Sequence, residues 1–198
     1  AIAFCNKLSL LEGRTPVYSV TGVDFSTLTY AEIPSSSNAT WNAVTVNWGA
    51  NGYRLATEME YMWAAMGADT ENPGSINTTD YQKTFSGSNG TNDIDDYAWY
   101  SGNGSSSTHP VGEKLPNELG LYDMSGNVWN WVWDWTTPGV PYPSGVLTDY
   151  RGDTSGTNRA ARGGAWSYAA SNCAVAFRSS GHPSYRGTHF GIRVVRQL

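Results

Sequence analysis

The spacing of hydrophobic residues at the start of the chain predicts a helix over Ala1 to Glu12. Apolar side chains recur there at near-helical intervals, which would place them on one face. Gly13 follows directly and is typical of a helix C-terminus, because glycine readily adopts the left-handed conformation that ends many helices. We expect this helix to pack on the core through Ile2, Ala3, Phe4, Leu8 and Leu11.

A second helix is predicted to begin after Thr57. Thr57 is followed three residues later by Glu60, the spacing of a capping box in which each side chain binds the backbone of the other residue. Gly67 is the corresponding stop. The residues between them contain one apolar stripe at helical spacing, which we expect to face the core: Met59, Met62, Trp63 and Met66.

Short β-type segments are predicted between the two helices and again late in the chain. Val17–Val20, Thr27–Tyr30 and Val44–Trp48 are rich in β-formers and are separated by Ser, Asn and Gly. Further on, Trp129, Trp131, Trp133 and Trp135 alternate with smaller residues, and a period of two predicts a strand. A row of tryptophans on one strand face is more often core than a ligand platform. Between these regions, residues 72–108 are polar, and Tyr97, Trp99 and Tyr100 favour ordered loops over disorder there.

Length and charge limit the possible functions. A chain of 198 residues fits one domain, 1–198, and is long enough to bury a core. Its net charge of −5 argues against a nucleic-acid partner, and no apolar run reaches the roughly 18 residues of a membrane span, so we expect no membrane insertion by this chain. Cys5 and Cys173 could form one bridge, but two buried thiols are the simpler interpretation.

Three ordered segments resemble the formylglycine-generating-enzyme (sulfatase-modifying factor) family. They are Tyr53–Glu60 (YRLATEME), Asn117–Trp131 (NELGLYDMSGNVWNW), and the pair Arg162–Trp166 (RGGAW) with Gly191–Val195 (GIRVV). The resemblance implies an α+β protein with a C-type lectin fold of the formylglycine-generating-enzyme subtype: two helices, small antiparallel sheets and long irregular loops. The opening AIAFCN resembles the first helix of this family, which implies that its N-terminal strands lie outside this chain or are missing.

The resemblance also predicts that catalysis has been lost. Family members that oxidise a sulfatase cysteine resemble one another in two cysteines just after RGGS, which hold copper; soft thiolates are what Cu(I) selects. Here Tyr168 stands about where the first cysteine would be, and Cys173 alone remains. Glu58 and Glu60 are assigned to the helix cap, and His109, His182 and His189 lack zinc-type spacing. We therefore expect that the chain is not an enzyme, and no cofactor is assigned to it on these grounds.

Calcium is the one metal that the resemblance suggests. In the family, the LYDMxGNVWEW turn is associated with a Ca²⁺ ion. Carried over, its ligands would be Asp123, the carbonyls of Gly126 and Val128, and Asn130. Asn130 stands where the family commonly has Glu, so one negative charge is lost. The alternative is that Asp123 only caps the turn.

The C-terminal tail separates into a fixed framework and residues of a restricted kind. The restricted set contains no Lys, Glu, Gln, Met or Trp, and each member is reachable by changing only the two adenines of an AAC codon. This resembles the variable proteins of diversity-generating retroelements, and it predicts a variable binding region at about 161–190. The alternative is an ordinary surface loop. The predicted ligand-binding positions are Ala161, Ala165, Ser167, Tyr168, Ala169, Ser171, Asn172, Phe177, Ser179, Ser180, Gly181, His182, Ser184, Tyr185, Gly187, Thr188 and His189.

The resulting hypothesis is a non-catalytic protein that displays a hypervariable surface on a C-type lectin scaffold. Its partner would be a protein or glycan on another cell or host surface, with an extracellular or cell-surface bacterial location implied by the resemblance. We expect Arg178 and Arg186 to pin the tail loops, and the six arginines after Asp153 slightly favour acidic partners. Two alternatives remain: a formylglycine-generating or related copper/iron oxidase, and an invariant carbohydrate- or protein-binding module.

Overall fold

The computed structural model describes residues 1–67, 84–87, 94–137 and 139–197, and within them the chain is an α+β protein. The helices are α1 (Ile2–Leu11), α2 (Ala39–Asn42) and α3 (Glu58–Met66). The strands are β1 (Tyr18–Ser19), β2 (Thr45–Val46), β3 (Tyr53–Leu55), β4 (Trp129–Thr136), β5 (Asn158–Arg162), β6 (Ser179–Gly181), β7 (Phe190–Ile192) and β8 (Val194–Arg196). Irregular backbone connects most of these elements, as the sequence predicts.

Three small sheets hold the described strands together. The strands β1 and β2 pair antiparallel, and β3 pairs antiparallel with β8. The third sheet has the order β6-β5-β4-β7, in which β4 and β7 run parallel and the other pairs are antiparallel. Because β5, β6 and β7 all come from the C-terminal quarter, this sheet fixes the tail against the tryptophan strand β4.

Helix α1 forms where the sequence predicts it, but its buried face differs from the predicted stripe. Gly13 adopts a φ of +66° just after the helix end. Phe4 and Leu11 are 54% and 84% exposed, whereas Asn6 and Ser9 are fully buried. The Asn6 amide binds both backbone groups of Tyr18, at 2.7 and 3.1 Å, and the Ser9 hydroxyl accepts the Tyr53 N–H at 2.7 Å. The helix is therefore docked by hydrogen bonds as well as by Ala3 and Cys5.

Helix α3 confirms the capping box and corrects the stripe. The Thr57 hydroxyl accepts the Glu60 N–H at 3.2 Å, and the Glu60 carboxylate accepts the Thr57 N–H at 2.8 Å. The buried side chains are Glu58, Tyr61 and Ala65. Of the predicted stripe, Met59, Met62 and Met66 are half-buried, while Trp63 is 44% exposed. The Asp134 carboxylate of β4 accepts the N–H of Glu58 at 2.7 Å, which turns this face of the helix inward.

The strand predictions are confirmed at two of the three early segments. Strands β1 and β2 lie inside Val17–Val20 and Val44–Trp48, but Thr27–Tyr30 is not a strand. Thr29 instead caps a short 3-10 turn, Tyr30–Glu32, and Glu32 accepts the Thr29 N–H at 2.7 Å. Of the polar stretch, residues 72–83 and 88–93 lie outside the described part. Residues 94–108 are ordered and contain a 3-10 turn, Ile94–Asp96.

The tryptophan strand is confirmed as β4, and its two faces are buried unequally. Trp129 is 1% exposed, while Trp131, Trp133 and Trp135 are half-buried. The opposite face is more deeply buried and carries Asn130, Val132, Asp134 and Thr136. The tryptophan face packs on aromatic neighbours, such as Tyr18, whose ring stacks on Trp133 with centroids 5.4 Å apart. The core assignment thus holds fully for Trp129 only.

Candidate functional site

The tail leaves the four-stranded sheet at two positions where the surroundings require glycine. Gly163 and Gly164 have φ values of +96° and +79°. A Cβ at Gly163 would lie 2.4 Å from the Tyr61 hydroxyl, and one at Gly164 would lie 2.5 Å from the Cys173 sulfur. Both the conformation and the space therefore require glycine, as the RGG motif suggests.

Four aromatic side chains of the tail are linked by ring contacts through His189 and the buried Trp129; we call Tyr168, Phe177, Tyr185 and His189 the aromatic face. Trp129 is its floor, with ring centroids 5.4 Å from Tyr168 and 5.9 Å from Phe177. His189 lies between Tyr168 and Tyr185, at 5.4 and 6.1 Å. Such spacings are those of packed aromatic pairs. The backbone supports this order, since Trp129 donates its N–H to the His189 carbonyl at 2.8 Å.

Most of the predicted ligand-binding positions surround the aromatic face and reach solvent. Phe177 and Tyr185 are 36% and 47% exposed. The other exposed members of the predicted set are Ser167, Ala169, Ser171, His182 and Thr188. Half-exposed members are Tyr168, Asn172, Ser179, Ser180, Gly181, Ser184, Gly187 and His189.

The prediction that Ala161 and Ala165 bind ligand is corrected, because both side chains are 0% exposed. Ala161 lies in the interior of the sheet on β5, and both alanines belong to a buried cluster with Trp129. As alanines they offer no surface to a ligand. The tail thus exposes fifteen of the seventeen predicted positions at least in part.

A buried carboxylate on α3 connects two arginines of the tail. Glu58 is 0% exposed, and its two oxygens lie 2.7 Å from Nε of Arg162 and 2.8 Å from a terminal nitrogen of Arg178. Arg162 also donates to the carbonyls of Val175 and Phe177, and Arg178 donates to the carbonyl of Val140 at 3.2 Å. The expectation that Arg178 pins the loops is confirmed by these bonds. The sequence predicts only a helix-cap role for Glu58, because no spacing signal relates it to residues more than 100 positions later.

The other tail arginines are also engaged. Arg186 donates to the Pro34 carbonyl at 2.8 Å, as expected of a pinning residue, and Arg193 donates to the Tyr122 carbonyl at 2.6 Å. Arg159 stacks on Trp133 and Trp135, 4.1 and 3.5 Å from the ring centroids, and burial lowers its pKa to about 10. Because the single negative charge of Glu58 offsets one of the two positive charges on Arg162 and Arg178, the sequence charge of the tail gives less support for an acidic partner than a count of arginines suggests.

A cavity adjoins the aromatic face at Tyr185. It has a volume of about 760 Å³ and lies between α1, the segment 28–44 and the tryptophan side of β4. Ser184, Tyr185 and Gly187 of the predicted set contribute to its wall. Tyr185 therefore borders both surfaces, while Tyr168 and Phe177 belong to the aromatic face alone.

The cysteine geometry does not fit a copper dithiol. Cys5 and Cys173 are the only cysteines of the chain, and both are free and fully buried in separate clusters. Burial raises the pKa of the Cys173 thiol to about 12, so it stays protonated at neutral pH. Tyr168, at the position of the first family cysteine, packs on Trp129 instead. The prediction of two buried thiols is confirmed.

The predicted calcium ligands do not present a free ring of oxygens. The side-chain amide of Asn130 donates to the Val128 carbonyl at 3.1 Å and to the Tyr61 hydroxyl at 3.3 Å, so two of the four predicted ligands bind each other. Asp123 accepts the Gly112 N–H at 2.8 Å with one oxygen, and its other oxygen is buried without a hydrogen-bond partner. That free oxygen is the feature that favours a cation, and the pairing of Asn130 is the feature against it. Calcium remains a prediction.

The histidines occupy three different environments. His109 stacks on Trp99 with centroids 3.7 Å apart, His182 contacts Ser184, and His189 lies 3.4 Å from the Tyr168 hydroxyl. Within residues 1–67, 84–87, 94–137 and 139–197, no group of three or more His, Cys, Asp or Glu side chains could hold a metal ion. The same part of the chain contains no helix that is long and apolar enough to cross a membrane.

Comparison with known proteins gives consistent relatives. The chain is 32% identical over 214 residues to the chaperone protein LppX of Paenibacillus barcinonensis, covering 99% of this chain and 66% of that protein. It is 32% identical over 169 residues to the formylglycine-generating enzyme of Streptomyces coelicolor, covering 79% and 50%. Among solved structures, Treponema denticola variable protein 1 superposes with a TM-score of 0.83 at 39% identity, covering 98% of this chain and 66% of that one. The chain thus spans half to about two thirds of the length of these relatives.

The sequence profile of the sulfatase-modifying factor enzyme 1-like domain family matches residues 1–198. This match covers the three motifs that carry the sequence resemblance, and the structural neighbours share the small sheets and irregular loops of the C-type-lectin-like fold. The chain therefore belongs to the sulfatase-modifying factor enzyme 1-like family.

Proposed function

We propose that this chain is a non-catalytic binding protein whose tail is a hypervariable, ligand-binding surface diversified by a retroelement. The proposal rests on the separation, within the tail, of exposed side chains from the buried residues that hold the backbone. The aromatic face and its hydroxyl-bearing neighbours point outward, while Arg162, Gly163, Gly164 and Cys173 hold the backbone from beneath. Changes at the outward positions leave the contacts of these four framework residues intact.

The composition of this surface suits protein or glycan recognition. Tyr and Phe provide rigid contact area at low entropic cost, and Ser, Asn and Gly provide adaptable hydrogen bonds, the combination found in antibody paratopes. The structural likeness to Treponema denticola variable protein 1 supports the same interpretation. The partner would be a protein or glycan on another cell or host surface, and the location would be extracellular or at the cell surface of a bacterium.

The lost cysteine pair supports a function other than oxidation. With Tyr168 at the position of the first family cysteine and Cys173 protonated and buried, the chain lacks the two thiolates that Cu(I) chemistry in this family requires. Incubation with copper and a cysteine-bearing sulfatase peptide is expected to give no formylglycine, measured by mass spectrometry.

A genomic test addresses the source of variation. We expect a near-identical repeat of the tail-coding sequence, with Asn codons at the exposed positions, next to a reverse transcriptase gene. A genome that contains this chain but no such repeat would overturn the retroelement part of the proposal.

A binding test addresses the surface itself. The fluorescently labelled chain is applied to intact bacterial and mammalian cells, with and without protease or glycosidase treatment. The amount of bound chain is measured by flow cytometry. Combining Tyr168→Ser, Phe177→Ser and Tyr185→Ser is expected to weaken binding at least about tenfold, since aromatic hot spots dominate such interfaces. The matched control is Tyr122→Ser, because Tyr122 is 43% exposed and lies outside the tail. Binding that survives the triple change but is lost in Asp123→Asn would instead support an invariant binding module.

A further inference from the structure

The two halves of the tail meet at one side chain from another part of the chain. Arg162 precedes the first tail loop and Arg178 lies between the first loop and β6. Each forms an ion pair with a different oxygen of Glu58, and Arg178 also donates a hydrogen bond to it. Glu58 belongs to α3, and α3 is itself fixed by the capping box of Thr57 and Glu60 and by the Asp134 carboxylate. The tail loops are therefore attached to a helix that is itself fixed to the core.

The same arginines donate to backbone carbonyls. Arg162 binds the carbonyls of the tail residues Val175 and Phe177, and Arg178, itself in the tail, binds that of Val140 outside the tail. Further backbone contacts follow this pattern: Ser101 donates its N–H to the Tyr168 carbonyl at 2.9 Å, and Ser125 donates its hydroxyl to the Cys173 carbonyl at 2.8 Å. None of these bonds depends on the identity of an exposed tail residue.

We propose that Glu58 is the positioning residue of the aromatic face, a single buried anchor that sets the course of the tail backbone whatever side chains the tail carries. The inference rests on the proposed function, because it explains how a surface can be rewritten without losing its shape. A buried carboxylate shared by two arginines is suited to this role, since removing its charge leaves the buried guanidinium of Arg162 uncompensated in the interior. An apolar contact would tolerate such a loss by local repacking.

Helix α3 also provides a matched control. Arg54 forms a two-pronged pair with Glu60, at 2.6 and 2.7 Å, two residues along the helix from Glu58. The Arg54 side chain is 15% exposed and that of Arg178 is 21% exposed, so the two arginines are similarly shielded. The Arg54 pair joins β3 to α3 and makes no hydrogen bond to the tail.

The experiment compares backbone hydrogen exchange, followed by mass spectrometry, in three variants of the full chain. Arg178→Gln is expected to speed exchange of tail residues 165–189 at least about tenfold, because the loops lose one of their two links to Glu58. Arg54→Gln is expected to leave exchange of the tail within about threefold of the parent. A variant with Tyr168→Ser, Phe177→Ser, Tyr185→Ser and His189→Ser is expected to behave like Arg54→Gln in the tail.

The reverse ranking would overturn the proposal. If the aromatic variant loosens the tail as much as Arg178→Gln, side-chain packing rather than the anchor sets the backbone. Glu58→Gln is a second variant; if it does not fold, Arg178→Gln still decides the outcome, and Arg178→Lys should restore part of the protection by keeping the charge. No ligand is used, so the anchor can fail while binding is observed, or hold while the binding test of the proposed function fails.

Discussion

The N-terminal region (residues 1–55) and the tail (residues 161–192) are held in place in different ways. In the N-terminal region the region's own apolar side chains form the core, with Val17, Tyr18, Val20 and Phe25 all buried. In the tail, few of the region's own side chains are buried, and Glu58 and Trp129 come from elsewhere. The first region is therefore fixed by its sequence, and the second is fixed mainly by its attachment.

This difference separates positions that can be exchanged from positions that cannot. Truncating a buried side chain removes transfer free energy and leaves a cavity, whereas most surface substitutions change stability by less than about 0.5 kcal/mol. A long segment with few buried side chains can thus vary in sequence while its backbone stays in place. Substitutions in the tail are expected to fall into these two classes with little between them.

The largest effect is expected at the framework glycine that faces Cys173. Gly164→Ala would place a Cβ 2.5 Å from the Cys173 sulfur at a φ of +79°, and strain together with overpacking should lower the free energy of unfolding by about 3 kcal/mol. Gly22→Ala is the control, since Gly22 has a φ of +75° with nothing within 4 Å of the added Cβ. It should lose only about 1 kcal/mol. Urea denaturation measures both, and equal losses would show that the close contact is relieved.

A smaller effect is expected from the charge cluster that holds the tail. Burial, opposed by the Glu58 N–H and assisted by the Glu58 carboxylate, raises the pKa of the Asp134 carboxyl from 3.8 to about 7. The folded state therefore keeps a proton that the unfolded state loses above pH 4. The stabilising effect of this proton is complete below pH 4 and disappears as the pH rises through 7.

Stability should consequently fall by about 2 kcal/mol between pH 5 and pH 8. Thermal unfolding at both pH values gives the measurement. Asp134→Asn should flatten the difference, because the amide oxygen can still accept the Glu58 N–H but cannot ionise. The same pH difference in Asp134→Asn as in the parent would assign it to other groups, such as the histidines.

The smallest effect is expected on the exposed side of the tail. Tyr185→Ser and Thr188→Ser change side chains that are exposed, and each should alter the free energy of unfolding by less than about 0.5 kcal/mol. Val17→Ala, at a side chain 1% exposed in the N-terminal region, is the contrasting change and should cost about 2 kcal/mol. A loss at Tyr185 comparable to that at Val17 would erase the distinction between the two regions.

Local signals in the sequence predicted local structure well. The capping box at Thr57 and Glu60, the stop at Gly13 and the alternation of β4 each depend on residues a few positions apart, and each is present. The apolar stripe predicted for α3 is wrong at Trp63, because burial depends on what the helix packs against. Glu58 is buried where it pairs with two arginines more than 100 residues away, while Trp63 is exposed.

The candidate site shows the same division. The tail composition pointed to the exposed surface, and fifteen of its seventeen positions reach solvent at least in part. Ala161 and Ala165 were misassigned because a small residue fits a restricted set whether it is exposed or enclosed by a sheet. The floor residue Trp129 was recognised as core, but its contact with Tyr168 and Phe177 required the fold.

The sequence by itself determined the family and predicted where a variable surface would lie, because both depend on the identity and order of residues. Only the tertiary structure decided which side chains are buried, which arginines pair with Glu58 and which residue packs beneath the aromatic face. Those properties arise from contacts between residues far apart in the chain, such as Glu58 with Arg162 and Arg178, for which local periodicity carries no signal.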